Sequence, residues 1–324
     1  MIASKIAEAE HVLIASHVDP DGDAVGSVLA MGIFLESRGK RTTMYLESEV
    51  PEFLRFLPSV DRIRHDLESV QDVDTAVIVD CGDISRVGKT ADRLASIPVI
   101  VNIDHHLYNT NFGVVNLVDT SCCATTALLL ELFKAMDAEI ETDIALNLYT
   151  GLVTDTGSFR YGNTTSEAFL MAAELVGIGV DPAFVAKELY LNLPMNRLRL
   201  LKLALDSVER LNGGRIGLMV LTKDDFDGCA AGVADSEGFI DYVRAIPGVE
   251  MAVLMKEVDG GATTGVSLRT SGNVNAAAVA AGFSGGGHRN AAGFRVPGSI
   301  KANRDAILSQ IAARMNGRDE TGQS

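Results

Sequence analysis

Four short segments concentrate the residues that could do chemistry. "HVDPDGDAVGS" (17–27) sets His17, Asp19, Asp21 and Asp23 within seven positions. "VDCGD" carries Asp80 and Asp83, "DHH" aligns Asp104, His105 and His106, and "GLVTDTGSFR" carries Asp155 and Arg160. Each has an ordinary explanation on its own: an Asp after a strand caps a helix, and "DPDGD" is a solvated turn. Four such segments in one chain are harder to explain that way. Gathered in one place, about four carboxylates and two or three imidazoles cannot stay ionised without cations. Two divalent metals are the simplest resolution. Mixed imidazole and carboxylate donors without thiolate favour Mn2+, with Mg2+, Fe2+ and Co2+ compatible. Two metals about 3.5–4 Å apart can activate water and clamp a phosphoryl oxygen. A calcium loop does not fit. Counted from Asp19, the places that need Gly and Glu hold Ala24 and Ala30.

The elements that must position these residues come next. "HVLIAS" (11–16), "TAVIVD" (75–80) and "PVIVNID" (98–104) are short apolar runs suited to central strands of a parallel sheet. A helix follows the acidic loop, with Gly39 as its C-cap, and further helical patterns cover 122–137 and 142–153. In open α/β sheets, ligands bind at the carboxyl ends of strands. Three of the four segments sit at such ends, and Asp155 closes an apolar helical run. The expected fold is α/β, a doubly wound and mainly parallel sheet with a smaller α/β C-terminal domain joined by a helical connector. Boundaries are expected at 1–190 for the catalytic domain, 191–213 for the connector, 214–316 for the second domain and 317–324 for a frayed tail. The pattern is nearly all helical from 164 to 211. In the second domain, "RIGLMVLT" reads as a strand, "VEMAVLMKEV" and "TTGVSLRT" as a hairpin around "DGGA", and "NVNAAAVAAGF" as a helix.

Composition narrows the function. The 324 residues are 47% hydrophobic and 22% charged, with a formal net charge of −15. So acidic a surface is a poor match for long nucleic acid, which is held by Lys and Arg displacing counterions. No apolar run reaches the ~18–20 residues that span a bilayer. The first residues do not read as a signal peptide, and Cys81, Cys122, Cys123 and Cys229 form no disulfide framework. A cytoplasmic protein without a membrane partner is expected. His11 and His65 belong to no such cluster and are assigned to structure.

The four segments, in order, resemble the four motifs of the DHH phosphoesterases, and "GGGHRNAAG" resembles the glycine-rich motif of the C-terminal domain that accompanies many of them. The resemblance covers essentially the whole chain. It is most similar to the compact two-domain bacterial oligoribonuclease/pAp phosphatases and the related cyclic-dinucleotide phosphodiesterases. It implies that His17 and Asp21 hold one Mn2+, that Asp23, His105 and Asp155 hold the other, and that Asp80 bridges both. It further implies that His106 sits near the scissile phosphate as electrostatic partner or proton donor, with Asp104 orienting the imidazole. Asp19 is read as a turn residue, and Asp83 as a cap or an outer support.

In "SGGGHRNAAGF", consecutive glycines including Gly286 and Gly287 let the backbone approach an anion, and His288 adds a donor. Ser267, Arg269 and Ser271 alternate along one strand and face one side. An Arg flanked by hydroxyls suits a phosphate. Arg160 adds positive charge near the fourth motif, or else makes a helix-surface salt bridge.

The expected activity is Mn2+-dependent hydrolysis of short oligoribonucleotides and of 3′-phosphoadenosine 5′-phosphate (pAp), by activated water. The first domain would hydrolyse and the second would grip the substrate's far end. The alternative is a cyclic di-AMP or pApA phosphodiesterase. A long-strand exonuclease would need a basic groove with stacking aromatics, and this chain has no Trp and 6% aromatics. A family II pyrophosphatase would lack the glycine-rich motif. A non-catalytic nucleotide sensor would have lost metal donors, and here all are present. The helical connector suggests a homodimer.

Overall fold

The computed structural model describes residues 2–67, 69–270, 274–287 and 289–316. The chain divides into two units, Met1–Asn192 and Leu193–Ser324.

The first unit begins with α1 (Ile2–Glu8), β1 (His11–Ala15), α2 (Gly22–Ser37), β2 (Arg41–Tyr45) and β3 (Thr75–Val79). It continues through α3 (Ala91–Ala95), β4 (Val99–Asp104), β5 (Val115–Val118), α4 (Thr125–Ala135) and α5 (Thr142–Asp155), then α6 (Ser166–Ile178) and α7 (Pro182–Ala186). The five strands run parallel in the order β2-β1-β3-β4-β5. Their alternation feeds two cores. Val12, Ile14, Val77, Val79, Val101 and Ile103 pack on α2, α4 and α5. Leu13, Ala15, Ala76, Ile78 and Ile100 pack on the other face with Leu94 of α3. Central strands covered on both faces read as continuous apolar runs, and these do. Chain order reverses between β1 and β3, and the crevice at such a switch point lies at the carboxyl ends of those two strands.

Helix α2 ends as the sequence suggests, with Gly39 at φ +75 just beyond Arg38. It lies against α5 closely enough that side chains are excluded at the crossing. A Cβ on Gly26 would stand 2.5 Å from the Asn147 carbonyl oxygen, and one on Gly151 would stand 2.7 Å from Asp23 Oδ1.

The second unit contains α8 (Met195–Asp206), β6 (Glu209–Leu211), β7 (Ile216–Leu221), α9 (Lys223–Cys229), α10 (Ile240–Arg244), β8 (Met251–Val258) and β9 (Thr263–Thr270). It ends with α11 (Ala276–Ala281), β10 (Gly286–Gly287), β11 (Ala291–Pro297) and α12 (Ile300–Asn316). Its mixed sheet has the order β10-β11-β9-β8-β7-β6. The β8–β9 hairpin turns at Asp259–Gly261. Helices α11 and α12 cover one face. Leu200 and Ala204 of α8 pack on the other with α9 and α10. Helix α8, expected as a connector, thus lies in the second unit's core. Among the described residues, no single helix is long and apolar enough to cross a membrane.

Candidate metal centre

The parallel sheet brings the first three segments to its carboxyl edge, and α5 delivers the fourth. His17 follows β1. Its Nδ1–H donates to the Val18 carbonyl at 2.8 Å, which leaves Nε2 as a lone pair 3.6 Å from Asp80 Oδ2. His105 follows β4. Its Nδ1–H donates to the Cys122 carbonyl at 3.1 Å, and its Nε2 stands 3.6 Å from Asp80 Oδ1. The same Nε2 is 3.7 Å from Asp23 Oδ2 and 3.7 Å from Asp155 Oδ2. These separations exceed hydrogen-bond length. They match what two donors show when both lie about 2.0–2.2 Å from one ion.

Asp80 sits at the centre. Its two carboxylate oxygens face opposite imidazoles, Oδ2 towards His17 and Oδ1 towards His105 and His106. Its backbone is left-handed at φ +50, a conformation that Asp tolerates better than most residues. Its N–H donates to the Ile103 carbonyl at 2.9 Å, and Oδ1 accepts from Thr125 Oγ1 at 3.0 Å. Asp23, in the first turn of α2, is gripped by the start of α4. Oδ2 accepts from Thr125 N–H at 2.6 Å, and Oδ1 from Thr126 N–H and Oγ1 at 3.0 and 2.7 Å. Asp21 caps α2 through the Asp23 and Ala24 amides.

Three triads have donor atoms within 4.8 Å of one another: His17, Asp21 and Asp80; Asp80, His105 and His106; and Asp23, His105 and Asp155. The charge state supports a cation here. Burial, then the Asp80 charge, push the Asp23 carboxyl well above its ordinary value. Burial likewise drives Asp155 up to about 7, helped by Asp21 and Asp80 and opposed by His105. Burial lowers the pKa of His105, yet Asp155, Asp23 and Asp80 outweigh it and raise the imidazole to about 10. Burial opposes ionisation of Asp80, but His17, His106 and His105 hold it below the usual carboxylate range. Without a metal, protons supply the positive charge that this cluster lacks. The donor set therefore fits divalent cations.

Beside the triads runs a relay of polar side chains. His106 Nδ1–H donates to Asp104 Oδ1 at 2.6 Å, and Asp104 Oδ2 accepts from Asn109 Nδ2 at 2.6 Å. Asn109 Nδ2 also reaches Asn102 Oδ1 at 2.8 Å, and Asn102 Nδ2 bonds the Ile78 and Cys81 carbonyls. Burial raises the Asp104 carboxyl, but the His106 bond and charge outweigh it and hold it low. Asn163 Nδ2 lies 3.0 Å from the Cys123 carbonyl and 3.3 Å from Asp155 Oδ2. The sequence reading named none of Asn102, Asn109, Asn163, Thr125 or Thr126. The only sequence signal was two asparagines just downstream of "DHH" and "DTGSFR".

Asp19 is a turn residue at φ +55, and its N–H donates to Ser48 Oγ. Asp83 accepts from the Ser85 amide at the start of a short 3-10 turn. His11 Nδ1 bonds the Asp72 carbonyl and lies 3.3 Å from Asp72 Oδ2, and His65 bonds the Leu46 carbonyl with Nε2 3.4 Å from Glu49 Oε2, both away from the metal donors. Arg160 is exposed, with Nε donating to the Gly157 carbonyl at 2.6 Å.

In the second unit, Ser267 and Arg269 share the β9 face opposite the α11–α12 core. Arg269 Nη1 donates to the Leu268 carbonyl, and its buried Nε has no hydrogen-bond partner among the described residues. Gly286 and Gly287 form strand β10, paired antiparallel with Gly293 and Ala292. A Cβ on Gly287 would stand 2.5 Å from the Ala291 carbonyl oxygen, whereas Gly286 has open space. Ser271 and His288 lie outside the described residues.

The chain is similar to known proteins along most of its length. The model of the "DHH family, N-terminal domain" matches residues 11–152, and that of the "DHHA1 domain" matches residues 228–317. The chain is 36% identical over 290 residues to the bifunctional oligoribonuclease and PAP phosphatase NrnA of Thermus thermophilus, covering 89% of this chain and 84% of that one. It is 25% identical to the protein of the same name from Bacillus subtilis, covering 93% of both. The crystal structure of an exopolyphosphatase-related protein from Bacteroides fragilis is similar with a TM-score of 0.87 at 27% identity, covering 97% of this chain and 94% of that one.

Proposed function

The chain belongs to the DHH family, as an NrnA-type phosphoesterase, and from that premise we propose that it uses two divalent cations to hydrolyse short oligoribonucleotides and pAp, releasing AMP. The observation that carries this reading is Asp80, whose two oxygens face two separate groups of imidazole and carboxylate donors. The two relatives named as oligoribonucleases and PAP phosphatases support the substrate class, because they match nearly end to end.

In this reading His17 and Asp21 would hold one ion, Asp23, His105 and Asp155 would hold the other, and Asp80 would serve both. Mn2+ suits the mixed nitrogen and oxygen donors, with Mg2+, Fe2+ and Co2+ as competitors. Divalent cations bound there would supply Lewis-acid charge and a water of lowered pKa. The chain's own residues do the rest. The Val18 and Cys122 carbonyls fix the tautomers of His17 and His105, so that each presents Nε2. Thr125, Thr126 and the start of α4 hold the Asp23 carboxylate in place. Asp104 fixes His106 with Nδ1 protonated, so that His106 stabilises charge on the scissile phosphate or protonates the leaving oxygen. Arg269, with Ser271, His288, Gly286 and Gly287, binds the substrate's remote phosphate or base, and Arg160 adds charge. Binding energy gathered there positions the scissile bond.

A panel of pAp, pApA and cyclic di-AMP with Mn2+ tests the proposal. AMP should appear from pAp and pApA with wild-type protein and not with Asp80→Ala. Faster turnover of cyclic di-AMP would reassign the substrate. No hydrolysis of any of the three would overturn the reading.

A further inference from the structure

Two adjacent cysteines, Cys122 and Cys123, lie in the irregular stretch that leads into α4. Both are free thiols on neighbouring residues, Cys122 half-buried and Cys123 buried. Their backbone is what holds one end of the metal centre. The Cys122 carbonyl accepts from His105 Nδ1 at 3.1 Å. The Cys123 carbonyl accepts from Asn163 Nδ2, the group that also reaches the Asp155 carbonyl at 3.1 Å and Asp155 Oδ2 at 3.3 Å. The side chains of this pair serve no step described above, yet their peptide carbonyls orient two of the donors.

We propose that Cys122 and Cys123 form a thiol modification site, whose oxidation to a vicinal disulfide unseats His105 and switches the centre off. A peroxide is the co-reactant. The Cys122 sulfur attacks one peroxide oxygen, giving a sulfenic acid and water. The Cys123 sulfur then displaces the sulfenic hydroxyl, forming the S–S bond and a second water. Two thiols lose two protons and two electrons, and a dithiol reverses the change. The geometric consequence follows from bond lengths. Adjacent Cα atoms are about 3.8 Å apart across a trans peptide, closer than the about 4.4–6.8 Å usual for a disulfide. Closing the ring must therefore twist the peptide inside it. That peptide carries the Cys122 carbonyl, which is the partner of His105. The thiol chemistry stands by itself, whereas its effect on turnover rests on the metal-centre reading.

The test treats the full-length protein with hydrogen peroxide, then reads mass, metal affinity and turnover, each variant scaled to its own untreated value. Wild type should lose about 2 Da in the peptide holding both cysteines. Its Mn2+ affinity and turnover should fall about ten-fold or more, the usual cost of losing an outer partner of a metal-bound imidazole. Dithiothreitol should restore both. Cys122→Ser and Cys123→Ser should show neither the mass loss nor the fall. The mass and metal readings keep their meaning even if the substrate assignment fails. No disulfide between these two residues, or one that forms with Mn2+ affinity unchanged, overturns the proposal.

Discussion

At the scale of residues, the centre is a problem of charge solved by outer partners. Asn109 ties Asp104, the partner of His106, to the buried Asn102. Asn109→Ala should lower kcat about 10- to 100-fold, the cost of losing such support, while KM and Mn2+ stoichiometry stay put. Loss of Mn2+ instead would show that the relay shapes the donors themselves. The metal-free protein should also report its crowded charges. Asp155, raised to about 7, keeps its proton when folded while the unfolded chain has released it, so stability falls as pH rises from about 4 to about 7. His105, raised to about 10, contributes stability present below about pH 6.5 and lost as pH rises through about 10. Both act in the same direction. In chelator, melting should occur at lower temperature at about pH 8 than at about pH 5.5, and Mn2+ should shrink the gap. A melting point that climbs with pH in chelator would contradict this. The charged members were legible in the sequence because their side-chain types announce the chemistry. Asn102, Asn109, Asn163, Thr125 and Thr126 were not, because amides and hydroxyls are common and act here only through contacts. Thr126 meets Asp23 across 103 residues.

At the scale of elements, the strand ends do the positioning, and β1, β3 and β4 were readable as apolar runs bounded by Asp or His. Strand β2 was not, since "RTTMY" starts exposed at a sheet edge and carries little apolar pattern. Strand β11 opens on Ala291, Ala292 and Gly293, which give no apolar signal, and ends on Pro297, although Ile300, Ile307, Ile311 and Met315 of α12 did carry a helical period. The glycine run separates packing from binding. Gly285 and Gly287 lie against the Gly293 and Ala291 carbonyls, and Gly286 faces open space. Gly285→Ala should lower unfolding stability by about 1–3 kcal/mol in denaturant titration. Gly286→Ala should leave stability alone and raise KM for pApA. An unchanged KM would remove Gly286 from the substrate site.

At the scale of the whole molecule, an acidic body with net charge −15 and a metal-hungry centre suits small phosphorylated substrates better than long polyanions. Helix α6 leaves Phe169, Leu170 and Val176 exposed at 55%, 69% and 39%, and the assignment of this helical stretch to a homodimer, expected from the sequence, makes them the residues to test. Sedimentation should give a dimer, and Leu170→Glu should shift it towards monomer. A wild-type monomer at micromolar concentration would remove the assignment. The most direct test of the central claim is calorimetric titration of metal-free protein with Mn2+, with pApA turnover followed at each step. About two ions should bind per chain, AMP release should begin only as the second site fills, and Asp80→Ala should bind fewer ions and stay inert. Full turnover in chelator, or one ion sufficing for it, would contradict the account.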